Sequence, residues 1–276
     1  MPTFHQRKVH LWYVLSVFFV SLSSSLFGQT NAEDSLLYQL EEQSLPEQID
    51  RYVALTRMFW EQDPARSLYY GELATALADS TQDLQRQMEA HRALGGLHYY
   101  QGSLDKTLWH NNLAYTIASG LQDEQKEASQ LNNLGIIYRD QGDYRRSMQM
   151  HSQSLRIAEL NGMDVLLAVS YNNLGRLYMD LKDYERSSSY LYSGLAKLAT
   201  VPEDNSLQLA LFGNLARLYA RQQQTDSAEH YFRAMLQLSD ETNNVNRMAE
   251  AYQGLGVLRL EQKRYDRAQY YLQSSV

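Results

Sequence analysis

Seven histidines are the first candidates for chemistry: His5, His10, His91, His98, His110, His151 and His230. None lies in an HExxH helix, the spacing that sets two imidazoles and a basic glutamate on one face. His98 and His151 fall at core-facing places of a recurring pattern described below, which predicts packed rings. The stretch "GGLHYYQG" at 95–102 has close glycines. No strand precedes it and no lysine–serine end follows, so it is no phosphate loop. "YSGLAK" at 192–197 lacks the second glycine of a nucleophile elbow. The acidic pairs Asp123–Glu124 and Glu203–Asp204 sit in polar stretches and read as solvated charge. The chain has no cysteine. That excludes disulfides, a thiol nucleophile, cysteine-ligated zinc and the lipidated cysteine of a bacterial lipoprotein. The sequence therefore predicts a non-catalytic protein with no metal ligand set and no cofactor.

A second set of side chains has the chemistry of recognition. Residues 131–147 read "LNNLGIIYRDQGDYRRS" and residues 171–187 read "YNNLGRLYMDLKDYERS". Asparagine is a poor helix former, so a paired asparagine repeated in an apolar helical pattern calls for a reason. Its amide both donates and accepts, matching the backbone of an extended peptide. A guanidinium grips a carboxylate with two parallel bonds. The candidates are Asn132, Asn133, Asn172, Asn173 and Asn214, with Arg176 and Arg217 beside them. Two readings stand: the asparagines face a ligand, or they bond to the neighbouring repeat and knit the array.

The elements that would position them are internal repeats. Aligning on the phrase gives Gly95, Gly135, Gly175, Ala216 and Gly256, with steps of 40, 40, 41 and 40. One step back falls on Leu55, inside "YVALTRMFWEQDPARSLYYGELATALA". Six units follow: 48–87, 88–127, 128–167, 168–208, 209–248 and an incomplete 249–276. Apolar residues recur at three and four, which puts a stripe on one helical face. A leucine precedes each small residue from Gly95 onward, a turn follows, and a second small side chain comes twelve positions later: Thr107, Ser147, Ser187, Ala228 and Ala268. This grammar describes two antiparallel helices per unit, drawn close where the side chains are small. One such hairpin cannot bury its own stripe, so stability resides in the contacts between units. Polar stretches such as "SGLQDEQ", "LNGMD", "TVPEDNS" and "SDETNN" read as connectors, broken at Gly162 and Pro202. In the first unit Pro64 holds the turn.

The pattern "NNLGxxYxxxGDYxxS" resembles the tetratricopeptide repeat, and the resemblance covers about residues 48–276. The period is longer than the usual one of about 34 residues. It is similar to the long variant of kinesin light chains and of extracytoplasmic sensor regions in bacterial signalling proteins. The missing terminal proline is expected to follow from longer connectors. The resemblance implies an all-α solenoid, a tetratricopeptide superhelix, with helix A of each unit lining a concave groove at positions 2, 5, 6, 9, 12 and 13. It further implies that asparagine at position 6 clamps a ligand backbone, which points to Asn133, Asn173 and Asn214. Arg176 and Arg217 then become carboxylate partners, with Tyr99, Tyr100 and Arg139 contributing at the ends.

The first 28 residues carry only Arg7 and Lys8 as charges and an apolar run from Leu11 to Val20. This is the layout of a secretory signal peptide, with cleavage expected between Gly28 and Ala32. An uncleaved membrane anchor is the alternative. A lead-in helix is expected over 29–47. Either way the repeats are expected outside the cytoplasm, periplasmic or membrane-associated. The formal net charge is −7, and −9 without the leader's two cations, a poor match for nucleic acid. The partner expected is a protein or peptide. Val276 falls inside the second helix of the last unit, so a longer protein is expected. The alternative function is then the sensor half of a membrane histidine kinase or helix-turn-helix regulator, held to the membrane by a helix beyond residue 276.

Overall fold

The computed structural model describes residues 35–38, 40, 43–200 and 204–275. The expected signal segment and cleavage region lie outside the described residues. Among the described residues the protein is all helical, and no helix is long and apolar enough to cross a membrane. The chain forms two compact units, up to His110 and from Asn111 onward.

The first unit holds α1 (Leu45–Met58), α2 (Pro64–Thr81), α3 (Leu84–Tyr100) and the residues Leu104–His110 of α4 (Leu104–Gly120). The lead-in helix expected over 29–47 is not one element in its described part. Residues 35–37 form a helical turn, and Leu45 begins α1 after the N-cap Ser44. Ser44 and Glu47 form a capping box, and Pro46 sits in the first turn where a missing N–H costs nothing. Pro64 likewise opens α2 behind its cap Asp63 and does not form the turn. Ile49, Val53, Ala74, Ala78, Ala90 and Ala93 share one core drawn from all three helices.

The second unit holds Asn111–Gly120 of α4, then α5 (Glu124–Asp140), α6 (Tyr144–Leu160), α7 (Asp164–Asp180), α8 (Tyr184–Leu198), α9 (Asn205–Arg221), α10 (Thr225–Glu241), α11 (Val245–Glu261) and α12 (Tyr265–Ser274). Consecutive helices pack as hairpins, and α5, α7, α9 and α11 pack in series as the A helices. Cores cross hairpin boundaries: Ala168, Leu191, Leu198, Leu207, Leu211 and Leu215 form a single cluster. This is the helical solenoid class expected from the repeats.

The long period has a different cause from the one expected. α5 and α6 have 17 residues each, and three-residue turns follow both, which accounts for forty. The additional length lies in the helices, not in longer connectors. "SGLQDEQ" is mostly helix, with Glu124 and Glu127 in the first turn of α5, where acidic side chains meet the positive end of the helix dipole. The one longer step comes after α8, which has 15 residues.

The turns from α5 to α6 and from α7 to α8 are shared devices. Gly142 lies at φ +78°. Its N–H donates to Arg139 O at 2.9 Å, and the Asp143 N–H donates to Tyr138 O at 2.8 Å. This is a Schellman closure. Asp143 Oδ1 then accepts from the Arg146 N–H at 2.9 Å, so the residue that closes α5 also caps α6. Lys182 and Asp183 repeat the arrangement between α7 and α8, with Lys182 at φ +62°.

Close approach of the two helices explains the small residues. A Cβ on Gly135 would lie 2.5 Å from the His151 ring, and one on Gly175 would lie 2.6 Å from Leu191. Ser187 is fully buried and donates to Gly175 O at 2.8 Å. Three rings fill the remaining gap in a unit. Tyr171, Tyr190 and Tyr178 stand in sequence at 6.0 and 5.4 Å. Phe212, Tyr231 and Tyr219 do the same at 6.1 and 5.8 Å. The equivalent places of the second repeat are His91, His110 and His98.

Candidate functional site

The A helices carry the candidate residues, and the structure divides them. Asn132 Nδ2 donates to Ser170 Oγ at 3.0 Å, and its Oδ1 meets His151 Nδ1 at 3.0 Å. Asn214 Nδ2 donates to Asn172 Oδ1 at 2.6 Å. All three asparagines are buried. The expectation that Asn132, Asn172 and Asn214 present their amides to a ligand is therefore corrected: they knit one repeat to the next. The reason is rotational. Position 5 lies on the edge of helix A that abuts the following helix A, and Asn214 at position 6 is drawn to the same seam by Asn172.

Asn173 and Arg176 differ. They stand one helical turn apart on α7. Asn173 is 4% exposed and makes no side-chain hydrogen bond among the described residues. Arg176 is half-buried and has no paired carboxylate among them. Burial, then the positive charges of Arg139 and Arg217, lower its pKa to about 10. Asp140 and Asp180 act on it in the opposite sense without closing to an ion pair, so the guanidinium keeps its capacity to grip a carboxylate. Asn133 is half-buried and donates to Gln130 Oε1 of its own helix at 3.4 Å.

The other cations of this face are neutralised. Arg139 pairs with Asp140 at 2.6 Å and reaches Asp180 at 3.7 Å, although its Nη1 is sealed without a partner. Arg217 pairs with Glu250 and donates to Asn214 Oδ1 at 2.6 Å, which corrects its expected freedom to grip a ligand carboxylate. Arg221 pairs with Asp180 at 3.2 Å. Behind the face, His151 is fully buried under Gly135. Burial, then Arg139 and Arg176, hold its pKa down at about 3. His151 is thus a neutral core ring that fits under Gly135 and donates its Nδ1–H to Asn132 Oδ1.

Two features were not read from the sequence. One is a cavity of about 290 Å³ between α9 and α11, floored by Phe232 and walled by Ala220, Gly254, Val257 and Leu258. Its signal was Gly254 at position 6, where the three preceding units carry asparagine. The other is the imidazole cluster of the first unit. His91 Nδ1 and His110 Nδ1 are 3.1 Å apart, and the His98 ring stacks on His110 at 5.3 Å. Burial, then His91 and His98, lower the pKa of His110 to about 4. Among the described residues no group of three or more histidine, cysteine or acidic side chains is arranged to hold a metal. Tyr99 and Tyr100 are exposed on the first unit.

Family models of the tetratricopeptide repeat match residues 128–160, 166–241 and 207–276. No curated protein matches the sequence. Solved structures match the fold. A signal-transduction ATPase with a tetratricopeptide repeat sensor, from Pyrococcus horikoshii, is 18% identical with a TM-score of 0.63. That match covers 94% of this chain and 40% of the ATPase. The apo form of RapI is 17% identical, TM-score 0.59, over 83% of this chain and 96% of its own. NprR in complex with its cognate peptide NprX is 11% identical, TM-score 0.64, over 98% and 77%. At these identities the likeness is one of fold.

Proposed function

The chain belongs to the tetratricopeptide-repeat family, and from that premise we propose that it is an exported, non-catalytic scaffold that binds a protein or peptide on the A-helix face of its second unit. Asn173 holds the ligand backbone, Arg176 takes a carboxylate, and Asn133 lies beside them. The observation that carries this reading is the pair Asn173 and Arg176, one turn apart and both without a partner among the described residues, while Asn132, Asn172, Asn214 and Arg217 are engaged. The solved complex of NprR with its peptide supports a peptide ligand for this kind of fold. The apolar run behind Arg7 and Lys8 supports export.

The test is a pull-down with the protein carrying Asn173→Ala and Arg176→Ala together. Partner capture is expected to disappear while the helical circular dichroism and the melting temperature hold. Unchanged capture refutes the assignment. Protease treatment of spheroplasts tests export: the repeats are expected to be cut while the cytoplasmic membrane stays intact, and full protection would refute it.

A second reading makes these repeats the extracytoplasmic sensor of a histidine kinase or helix-turn-helix regulator. It draws on the Pyrococcus horikoshii ATPase, whose repeats are described as a sensor. The reading frame following residue 276 tests it. An apolar run of about 20 residues within one or two repeats supports it, and a stop codon there removes it.

A further inference from the structure

The cavity between α9 and α11 lies on the same face of the A helices as Asn173 and Arg176. Its lining residues Arg217 and Arg221 from α9, and Glu250, Gln253, Gly254 and Val257 from α11, all fall at repeat positions 2, 5, 6, 9 or 13. The floor is the ring of Phe232, which reaches beneath Gly254 because no side chain stands there; a Cβ on Gly254 would lie 2.3 Å from it. Leu258 is fully buried and Val257 is 45% exposed at the mouth. The rim charges cancel locally, since Arg217 meets Glu250 and Arg221 meets Asp180. The cavity thus offers an apolar floor and a neutral rim. Its volume of about 290 Å³ is at the lower limit of the roughly 300–1,000 Å³ that take small ligands. It suits one large apolar side chain and is too narrow for a folded surface.

Two chemistries are therefore set out along one face: an unpaired cation at Arg176 and an apolar recess farther along. Their separation follows from the helix array. Neighbouring packed helices lie about 10 Å apart, so from α7 to the space between α9 and α11 is about 15 Å. An extended chain advances about 3.3 Å per residue. We infer that the ligand is an extended peptide segment that places an acidic group on Arg176 and, four to five residues away, a large apolar or aromatic side chain in the recess floored by Phe232. This rests on the proposed peptide-binding reading of the same face and adds the composition and spacing of the ligand. Charge complementarity selects the occupant: only the Arg176 end asks for an anion, and the recess end asks for none.

The experiment uses the full-length protein and labelled peptides with one phenylalanine and one aspartate separated by zero to eight serines, read by fluorescence anisotropy. Affinity is expected to peak at a spacer of about three or four serines. Replacing the phenylalanine by serine is expected to weaken the best peptide by about tenfold or more, the effect of burying one large apolar side chain. Val257→Trp fills the mouth of the recess from an exposed position, and is expected to cause the same loss while helicity is kept. Arg176→Ala is expected to weaken every aspartate peptide whatever its spacer. If affinity ignores the spacer and the phenylalanine, or survives Val257→Trp, while Arg176→Ala still weakens binding, the recess inference falls and the groove reading stands. If Arg176→Ala changes nothing, or no peptide binds, the groove reading itself falls.

Discussion

Asn173 and Asn214 occupy the same repeat position in adjacent units, yet their substitution by alanine is expected to give opposite results. Asn214 is 1% exposed, donates to Asn172 Oδ1 at 2.6 Å and accepts from Arg217 Nη2 at 2.6 Å. Asn214→Ala removes both bonds. It leaves the buried Asn172 carbonyl without a donor, at roughly 1–3 kcal/mol, and takes one of two partners from the less buried Arg217, at about 0.5–1 kcal/mol. The expected loss is about 2–3 kcal/mol. Asn173→Ala breaks no hydrogen bond among the described residues and removes only the packing of a small buried side chain, so its cost should be about 0.5–1 kcal/mol. Urea denaturation followed by circular dichroism reads the difference. With a denaturant slope of about 2.5 kcal/mol per molar, Asn214→Ala moves the midpoint down by about 1 M and Asn173→Ala by about 0.2–0.4 M. Partner binding should show the reverse order, with Asn173→Ala the more damaging. Equal destabilisation by the two variants would refute the division of this face into knitting and recognition residues.

Three further outcomes follow from the same geometry. His151 has a folded pKa of about 3 against about 6.5 when unfolded. The unfolded chain therefore takes up the proton first: stability is intact above pH 6.5 and is lost as pH falls from there towards 3, by about 4–5 kcal/mol in all. Melting temperatures measured across that range should fall less steeply in His151→Leu, a variant suggested by Leu191 beneath Gly175; identical slopes would count against it. In the first unit, replacing His91, His98 and His110 together by tyrosine copies the Tyr171, Tyr178 and Tyr190 set. It should flatten the loss that His110, held at about 4, contributes between pH 6.5 and 4. Lys182 holds a left-handed conformation at φ +62°, so Lys182→Gly should raise stability by about 0.5–1 kcal/mol in thermal melts, and a lower melting temperature would contradict the turn assignment.

The repeats were legible because small residues, leucines and aromatics mark the hairpin contact at fixed spacing. Gly135, Ser147 and Tyr138 could be assigned to packing without coordinates. The helix ends were not legible. Glu124, Gln125 and Lys126 are polar and look like a loop, yet they form the solvated first turn of α5. The site was half legible for a related reason. Spacing places Asn172 and Asn173 on neighbouring edges of one helix, but which edge meets the next helix depends on the tilt between hairpins. That tilt is set by contacts some forty residues away, such as Asn214 with Asn172. The imidazole cluster escaped notice because its three members look unrelated until they are laid on the aromatic places of later units.

The shared turn residues have a consequence for how such an array tolerates change in length. Asp143 and Asp183 each end one helix and begin the next, so these junctions contain no slack. Each residue turns an α-helix by about 100°. A single residue inserted within α7 ahead of Asn173 would swing Asn173 and Arg176 by that angle, from the open face to the flank. Gain or loss of a whole forty-residue block would leave the phase untouched. The segment after α8 is the place where the period already slips by one. Variation in length should therefore gather there or come in complete repeats, and a binding face built on angular register can lengthen or shorten only in quanta.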